Sequence, residues 1–226
     1  MTDTTGPAGS DIRLLIVDDQ ALVRMGFRMI LDAAPGMRVV GEAASGDEAL
    51  RIGAETRPDV VLMDVRMPGR DGIATTRALL EVSPESRVII LTTFDLDEYA
   101  FGGLRAGASG FLVKDTRPDE LLAAVRAVAS GDAAVSARVT KRMLELFVDR
   151  LPAAETPAHD ALAELTPRER EILTAIGEGL TNGEIADRFV LAESTVKTHV
   201  GRVLQKLGLR DRVQAVIFVY EHGLAG

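Results

Sequence analysis

The stretch RLLIVDDQALVRMGFRMIL, residues 13–31, decides the fold. LLIV is a short, continuously apolar run, as expected of a strand buried on both faces. It stops at two adjacent carboxylates, Asp18 and Asp19. Beyond them Val23, Phe27, Ile30 and Leu31 recur at i, i+4, i+7 and i+8, which predicts a helix with one apolar face. Two like charges at the end of an apolar strand repel each other. Desolvation makes them costly unless something positive sits between them.

Working outward, the alternation continues. RLLIV (13–17), MRVVGEA (37–43), VVLMD (60–64), RVIILT (87–92) and GFLV (110–113) read as strands, with helical stretches between them up to about residue 130. Strands alternating with helices predict a doubly wound α/β domain on a five-stranded parallel sheet, with its sites at the carboxyl ends of the strands. After Gly131 the strands stop. SARVTKRMLELFVDRL (136–151) predicts one helix, and LPAAETPAHDALAE (151–164), with Pro152 and Pro157, an interdomain linker.

The remainder carries helix start signals. Thr166-Pro167-Arg168-Glu169 is a capping box with Pro at the first helical position, Thr181-Asn182-Gly183-Glu184 is a second, and Asp211-Arg212-Val213-Gln214 is a weaker third. They predict a small all-α domain of four helices at about 167–178, 182–189, 193–207 and 211–222. The expected organisation is a disordered tail at 1–11, the α/β domain at 12–131, helix and linker at 132–163, and the helical domain at 164–226.

Composition bounds the function. The 226 residues are 46% hydrophobic and 27% charged, a globular composition with material for two cores. The absence of cysteine excludes disulfides and thiolate metal sites and fits an intracellular, cytoplasmic protein. No apolar run approaches the roughly 18 residues of a membrane span, and MTDTTGPAGSD lacks the features of a signal peptide. The formal net charge of -8 argues against nonspecific nucleic-acid binding by the whole molecule but leaves room for a local basic face.

The third strand ends at Asp64, in VVLMDVRMPGRDG. In a doubly wound sheet the first and third strands are neighbours, so Asp18, Asp19 and Asp64 converge on one edge. Oxygen-only ligation by three anions favours Mg²⁺. Two further strand ends contribute Thr92 and Lys114, a hydroxyl and an ammonium suited to phosphoryl oxygens. Each residue alone has a plainer reading, an N-cap, a β-former or a solvated charge. All five on one sheet edge point to a site.

VDDQ, MDVRMPGRDG, LTTF and GASGFLVKD, followed by LTPREREIL, GLTNGEIA and ESTVKTHV, resemble in order and spacing the two-component response regulators of the NarL/FixJ (LuxR-type) family. The resemblance covers nearly the whole chain apart from tail and linker. It implies a flavodoxin-like receiver domain and a C-terminal helix-turn-helix domain. It also implies that Asp64 is the phosphoacceptor, attacking a phosphohistidine of a sensor histidine kinase. Asp18, Asp19, Asp64 and the backbone carbonyl of Arg66 would hold Mg²⁺, Lys114 would pair with the phosphoryl oxygens, Thr92 would swing toward them and Phe111 would turn inward. The implied partners are that kinase, double-stranded promoter DNA and a second copy of the chain once phosphorylated, with RNA polymerase as a further candidate. Such a protein accepts a phosphoryl group and is not otherwise an enzyme.

Residues 194–212, STVKTHVGRVLQKLGLRDR, hold Lys197, Arg202, Lys206, Arg210 and Arg212 against one acid, Asp211. In an acidic protein this is a local electrostatic footprint for DNA. The expected reader is the helix at 193–207, with Lys197 and Thr198 near base edges and Thr195, His199, Arg202 and Lys206 near phosphates. VQAVIFVYEHGL (213–224) is more apolar than a terminal helix on a small domain needs, which leaves dimer contacts or core packing open.

Four features depart from the family pattern. Ala192 stands where an N-cap Ser or Thr is common, and Gly201 lies inside the reading helix. Gly102-Gly103 lies in the helix after the fourth strand, which is expected to fray. Asp115 follows Lys114 where many receivers have Pro, so no cis peptide is expected there. Two rival readings fit the residues less well. A Mg²⁺-dependent phosphatase of the haloacid-dehalogenase type needs a carboxylate two residues after its nucleophile, where this chain has Arg66. A phosphorylation-independent DNA-binding protein would be expected to lack part of the acidic pocket, which is complete here.

Overall fold

In the computed structural model, residues 11–92, 98–131 and 162–224 are described. The helix expected at 136–151, most of the linker and most of the N-terminal tail lie outside them.

Strands β1 (Ile12–Val17), β2 (Met37–Ala43), β3 (Val60–Asp64), β4 (Arg87–Thr92) and β5 (Gly110–Val113) form one parallel sheet of order β2-β1-β3-β4-β5. Helices α1 (Ala21–Asp32), α2 (Gly46–Thr56), α3 (Gly72–Val82), α4 (Glu98–Arg105) and α5 (Pro118–Ala129) connect the strands and close the domain. Successive strand residues face opposite sides, and the buried residues sort accordingly. Leu14, Ile16, Leu62, Ile89 and Leu91 pack with Phe27 and Leu31 of α1 and Leu121, Val125 and Val128 of α5. Leu15, Val17, Val61, Met63, Val88 and Ile90 lie in the cluster that includes Ala49 of α2, Leu79 of α3 and Leu104 of α4. The continuously apolar strands thus follow from burial on both faces.

The helical domain comprises α6 (Pro167–Gly177), α7 (Asn182–Phe189), α8 (Glu193–Lys206) and α9 (Arg212–Glu221). Both expected capping boxes form reciprocally, Thr166 with Glu169 and Thr181 with Glu184. At the third start only one direction is made, with Asp211 accepting from the Gln214 backbone N–H. Ala192 caps α8 without a side-chain hydrogen bond. The turn between α7 and α8 passes through Val190, which is exposed and left-handed at φ 55°.

The Gly102-Gly103 pair has a packing reason. A Cβ on Gly102 would meet Ile73 Cδ1 at 2.8 Å, and one on Gly103 would meet Ile90 Cγ1 at 2.6 Å. These glycines let α4 approach α3 and β4 closely, a tertiary constraint the sequence pattern did not show. No peptide bond among the described residues is cis, and no described helix is long and apolar enough to cross a membrane.

Candidate functional site

The sheet register carries the expected residues to one edge. Val17 pairs with Met63, Asp64 with Leu91 and Thr92 with Val113, so Asp18, Asp19, Asp64, Thr92 and Lys114 all fall at carboxyl ends of strands. Carboxylate oxygens of Asp18, Asp19 and Asp64 lie within 4.8 Å of one another, and this is the one such cluster among the described residues that could hold a metal ion. Asp18 and Asp64 are buried, whereas Asp19 is exposed. Two inward acids and one at the rim, all with hard oxygen donors, fit Mg²⁺, which retains several waters.

Lys114 supplies the positive charge. Its Nζ lies 2.7 Å from Asp18 Oδ2 and 2.9 Å from Asp64 Oδ2. Burial pushes the Asp64 carboxyl up, and Lys114 draws back only part of that rise, so it lies above the ordinary carboxylate range. Burial alone would lower the Lys114 ammonium, but Asp18 and Asp64 hold it above its ordinary value. The backbone is also tied to the site. Gln20 N–H donates to Asp18 Oδ1 at 2.9 Å, Arg66 N–H reaches Asp64 Oδ1 at 3.3 Å, and Lys114 N–H donates to the Thr92 carbonyl at 2.7 Å.

Gly72 lies against the end of the Asp64 strand. A Cβ there would stand 2.0 Å from the Asp64 carbonyl oxygen, so only glycine lets α3 start against the end of β3. Thr92 is buried and Phe111 half-buried. Arg66 is exposed beside the pocket. Next to it, α1 presents Leu22, Met25 and Met29 to solvent as an apolar stripe.

On α8, Lys197, Thr198 and Arg202 are exposed, and Thr195 and His199 are half-buried. Lys197 Nζ approaches Glu193 at 3.4 Å, and the Thr198 hydroxyl donates to the Ser194 carbonyl at 3.0 Å. His199 Nδ1 is buried without a hydrogen-bond partner. The other basic residues are engaged inside the protein. Lys206 Nζ binds Glu169 Oε2 at 2.7 Å, Arg212 binds Asn182 Oδ1 at 2.8 Å and the Leu180 carbonyl, and Arg210 leaves its domain altogether. The charge count of 194–212 therefore overstates the surface free to meet DNA.

Arg210 donates to the carbonyls of Pro84 and Ser86, just before β4. Gln214 Nε2 donates to the Leu104 carbonyl at 3.0 Å, and Arg105 pairs with Glu221 at 3.7 Å. Asp211 is fully buried, its Oδ1 accepts from the Gln214 backbone N–H, and burial pushes its carboxyl up, with Ser109 opposing. A cavity of about 420 Å³ separates the domains and is bordered by Arg87, Ser130 and Gly131 on one side and Lys197, Gly201 and Arg210 on the other. Part of the expected DNA-reading face therefore looks toward the α/β domain. Helix α9 buries Val213, Ala215, Val216, Ile217 and Val219, nearly its whole circumference, because α6 covers one side and α4 meets another. That accounts for its apolar sequence.

Comparison with known proteins agrees with this geometry. Residues 14–126 match the family model described as response regulator receiver domain, and residues 163–219 match that of bacterial regulatory proteins, luxR family. The chain is 44% identical to the transcriptional regulatory protein YxjL of Bacillus subtilis, over 94% of this chain and 97% of that one. It is 42% identical to the DNA-binding transcriptional activator DevR/DosR of Mycobacterium tuberculosis, over 93% and 94%. Among solved structures, the response regulator ChrA of a heme-sensing two-component system is 34% identical over 95% of this chain and 99% of that one, at a TM-score of 0.50. The chain belongs to the two-component response regulators of the LuxR type, with a receiver domain followed by a helix-turn-helix DNA-binding domain.

Proposed function

We propose that this protein is a phosphorylation-controlled transcription regulator, switched at Asp64 by a cognate sensor histidine kinase in the cytoplasm. The observation that carries the reading is Lys114 bridging Asp18 and Asp64 beside Asp19. In-line phosphoryl transfer needs positioning and charge neutralisation more than covalent machinery, and this pocket is equipped for both.

The Asp64 carboxylate attacks the phosphorus of a phosphohistidine. The new O–P bond forms as the P–N bond breaks, and the imidazole leaves. Lys114 exchanges its carboxylate partners for phosphoryl oxygens, the Thr92 hydroxyl turns to the same group, and Phe111 follows inward behind it. Asp18, Asp19, Asp64 and the Arg66 carbonyl would hold Mg²⁺, which supplies further neutralisation of phosphoryl charge when bound. The exposed Leu22, Met25 and Met29 stripe beside the pocket suits an apolar helical surface on the kinase.

Phosphorylation then shifts the population of receiver states. Contacts from Gln214 to the carbonyls of Leu104 in α4 and Ala108 in the α4–β5 loop give that shift a path to the DNA-binding domain. Release frees α8 and uncovers part of α9. Two copies then dimerise and place two α8 helices on paired promoter half-sites. Lys197 and Thr198 read bases, and Thr195, His199 and Arg202 meet phosphates. Lys206 joins them where its pair with Glu169 opens. The receiver spans 12–131 and the DNA-binding domain 164–226, with 132–163 between them.

Intact mass after incubation with acetyl phosphate and Mg²⁺ tests the reading. One phosphoryl adduct is expected on the wild type and none on Asp64→Ala or without Mg²⁺. A folded wild type that takes no adduct would make the protein a constitutive DNA binder.

A further inference from the structure

Asp18 is fixed on both its faces. Its carboxylate meets Lys114 and the Gln20 N–H, while its carbonyl oxygen accepts from Arg24 Nη1 at 2.7 Å. The β1–β3 ladder ends at Val17 and Met63, so that carbonyl lies just past the sheet, where the chain turns into α1. Arg24 is in turn oriented by Glu42, whose Oε2 lies 3.5 Å from its Nε, and Glu42 Oε1 is 2.5 Å from Arg28 Nη1. The Arg24 side chain is only 17% exposed. An acid on β2 thus aims a guanidinium at the backbone of the acidic turn.

We propose that Arg24, oriented by Glu42, is a positioning residue that holds the Asp18-Asp19 turn ready for a divalent cation. The inference rests on the pocket reading above and deepens it. Two physical effects act together. The hydrogen bond fixes the peptide joining Asp18 to Asp19, and therefore the directions in which both carboxylates leave the chain. The guanidinium also offsets part of the repulsion between the two acids without occupying the space the cation needs, because it approaches from the carbonyl side. Groups that orient metal ligands from behind typically change metal affinity by about 10–100-fold when removed.

The test is Mg²⁺ binding by the unphosphorylated full-length protein, followed by backbone amide NMR shifts, for wild type, Arg24→Gln, Arg24→Lys and Asp18→Asn. Arg24→Gln is expected to weaken Mg²⁺ binding about tenfold, and Arg24→Lys to recover part of the loss. With acetyl phosphate as donor, Arg24→Gln should need more Mg²⁺ for half-maximal phosphorylation yet reach the wild-type rate at saturation. A merely structural role would lower the melting temperature and the saturated rate instead. Arg24→Gln binding Mg²⁺ within twofold of wild type, while Asp18→Asn binds poorly, overturns the role of Arg24 and leaves the pocket standing. No binding by wild type overturns both.

Discussion

Lys114 Nζ lies 2.9 Å from Asp64 Oδ2 while also holding Asp18 Oδ2 at 2.7 Å, so one ammonium bridges the two buried acids of the pocket and offsets part of their charge. Removing one partner of a buried ion pair leaves uncompensated charge and costs about 3 kcal/mol. Lys114→Met is therefore expected to lower the receiver's melting temperature in metal-free buffer. Mg²⁺ should then stabilise the variant more than it stabilises wild type, since the cation takes over the neutralising role. Thermal melts with and without Mg²⁺ check this, and an equal Mg²⁺ effect on both proteins contradicts it.

Arg210 links residues more than a hundred positions apart, donating from the DNA-binding domain to the Pro84 and Ser86 carbonyls of the receiver. Burial, with repulsion from Arg87 adding to it, lowers the Arg210 pKa, while Asp211 and Glu85 oppose that trend. Hydrogen bonds to charged groups contribute about 1.5 kcal/mol or more, so Arg210→Ala should shift docking toward the open form by about tenfold. The measurement is amide hydrogen exchange at 83–86 and 104–109 in the unphosphorylated protein. Exchange unchanged from wild type would show that Gln214 and the Arg105–Glu221 pair hold the domains without it.

These two cases mark what could be read from the chain. The clustering of Asp18, Asp19 and Asp64 was legible because these acids follow apolar runs, and a doubly wound sheet fixes which strands are neighbours. The helical domain was legible because its capping boxes are local. Arg210 looked like one more cation of a DNA footprint, since side-chain charge says nothing about a partner 124 residues away in sequence. The packing role of the Gly102-Gly103 pair, where Ile73 and Ile90 leave no room for a Cβ, has no local sequence signal, and it leaves the expectation of fraying open to test.

Glu169 gives the DNA-binding domain a defined acid response. Its carboxyl is lowered from 4.5 to about 2, first by Lys206 and then by the Thr166 backbone N–H. The folded state thus keeps it ionised where the unfolded chain binds a proton, and stability rises with pH across that window. The contribution is complete above pH 4.5 and lost as pH falls toward 2. Glu169→Gln preserves the capping-box geometry but removes the charge. The stability difference between wild type and Glu169→Gln should be largest near neutral pH and shrink steadily below pH 4.5. Denaturant melts of both proteins across this range measure it, and a constant difference refutes the assignment.

Two substitutions, one at the N-cap of α8 and one within it, separate stability from DNA reading. Ala192 has extended backbone at φ -73° and ψ 142°, compatible with an N-cap, yet makes no side-chain cap bond. Ala192→Thr should supply one and stabilise the domain by about 1 kcal/mol. Gly201 has nothing within 4 Å of an added Cβ, so Gly201→Ala should gain about 1 kcal/mol from helix propensity alone. Both should raise the domain's melting temperature. They should part on DNA, because Gly201 borders the face that carries Lys197 and Ala192 precedes the helix. DNA affinity at fixed salt is expected to stay within twofold for Ala192→Thr and to fall for Gly201→Ala if the backbone at 201 approaches the duplex closely. Equal affinities for the two variants would place the duplex away from Gly201 and confine reading to the first turns of α8.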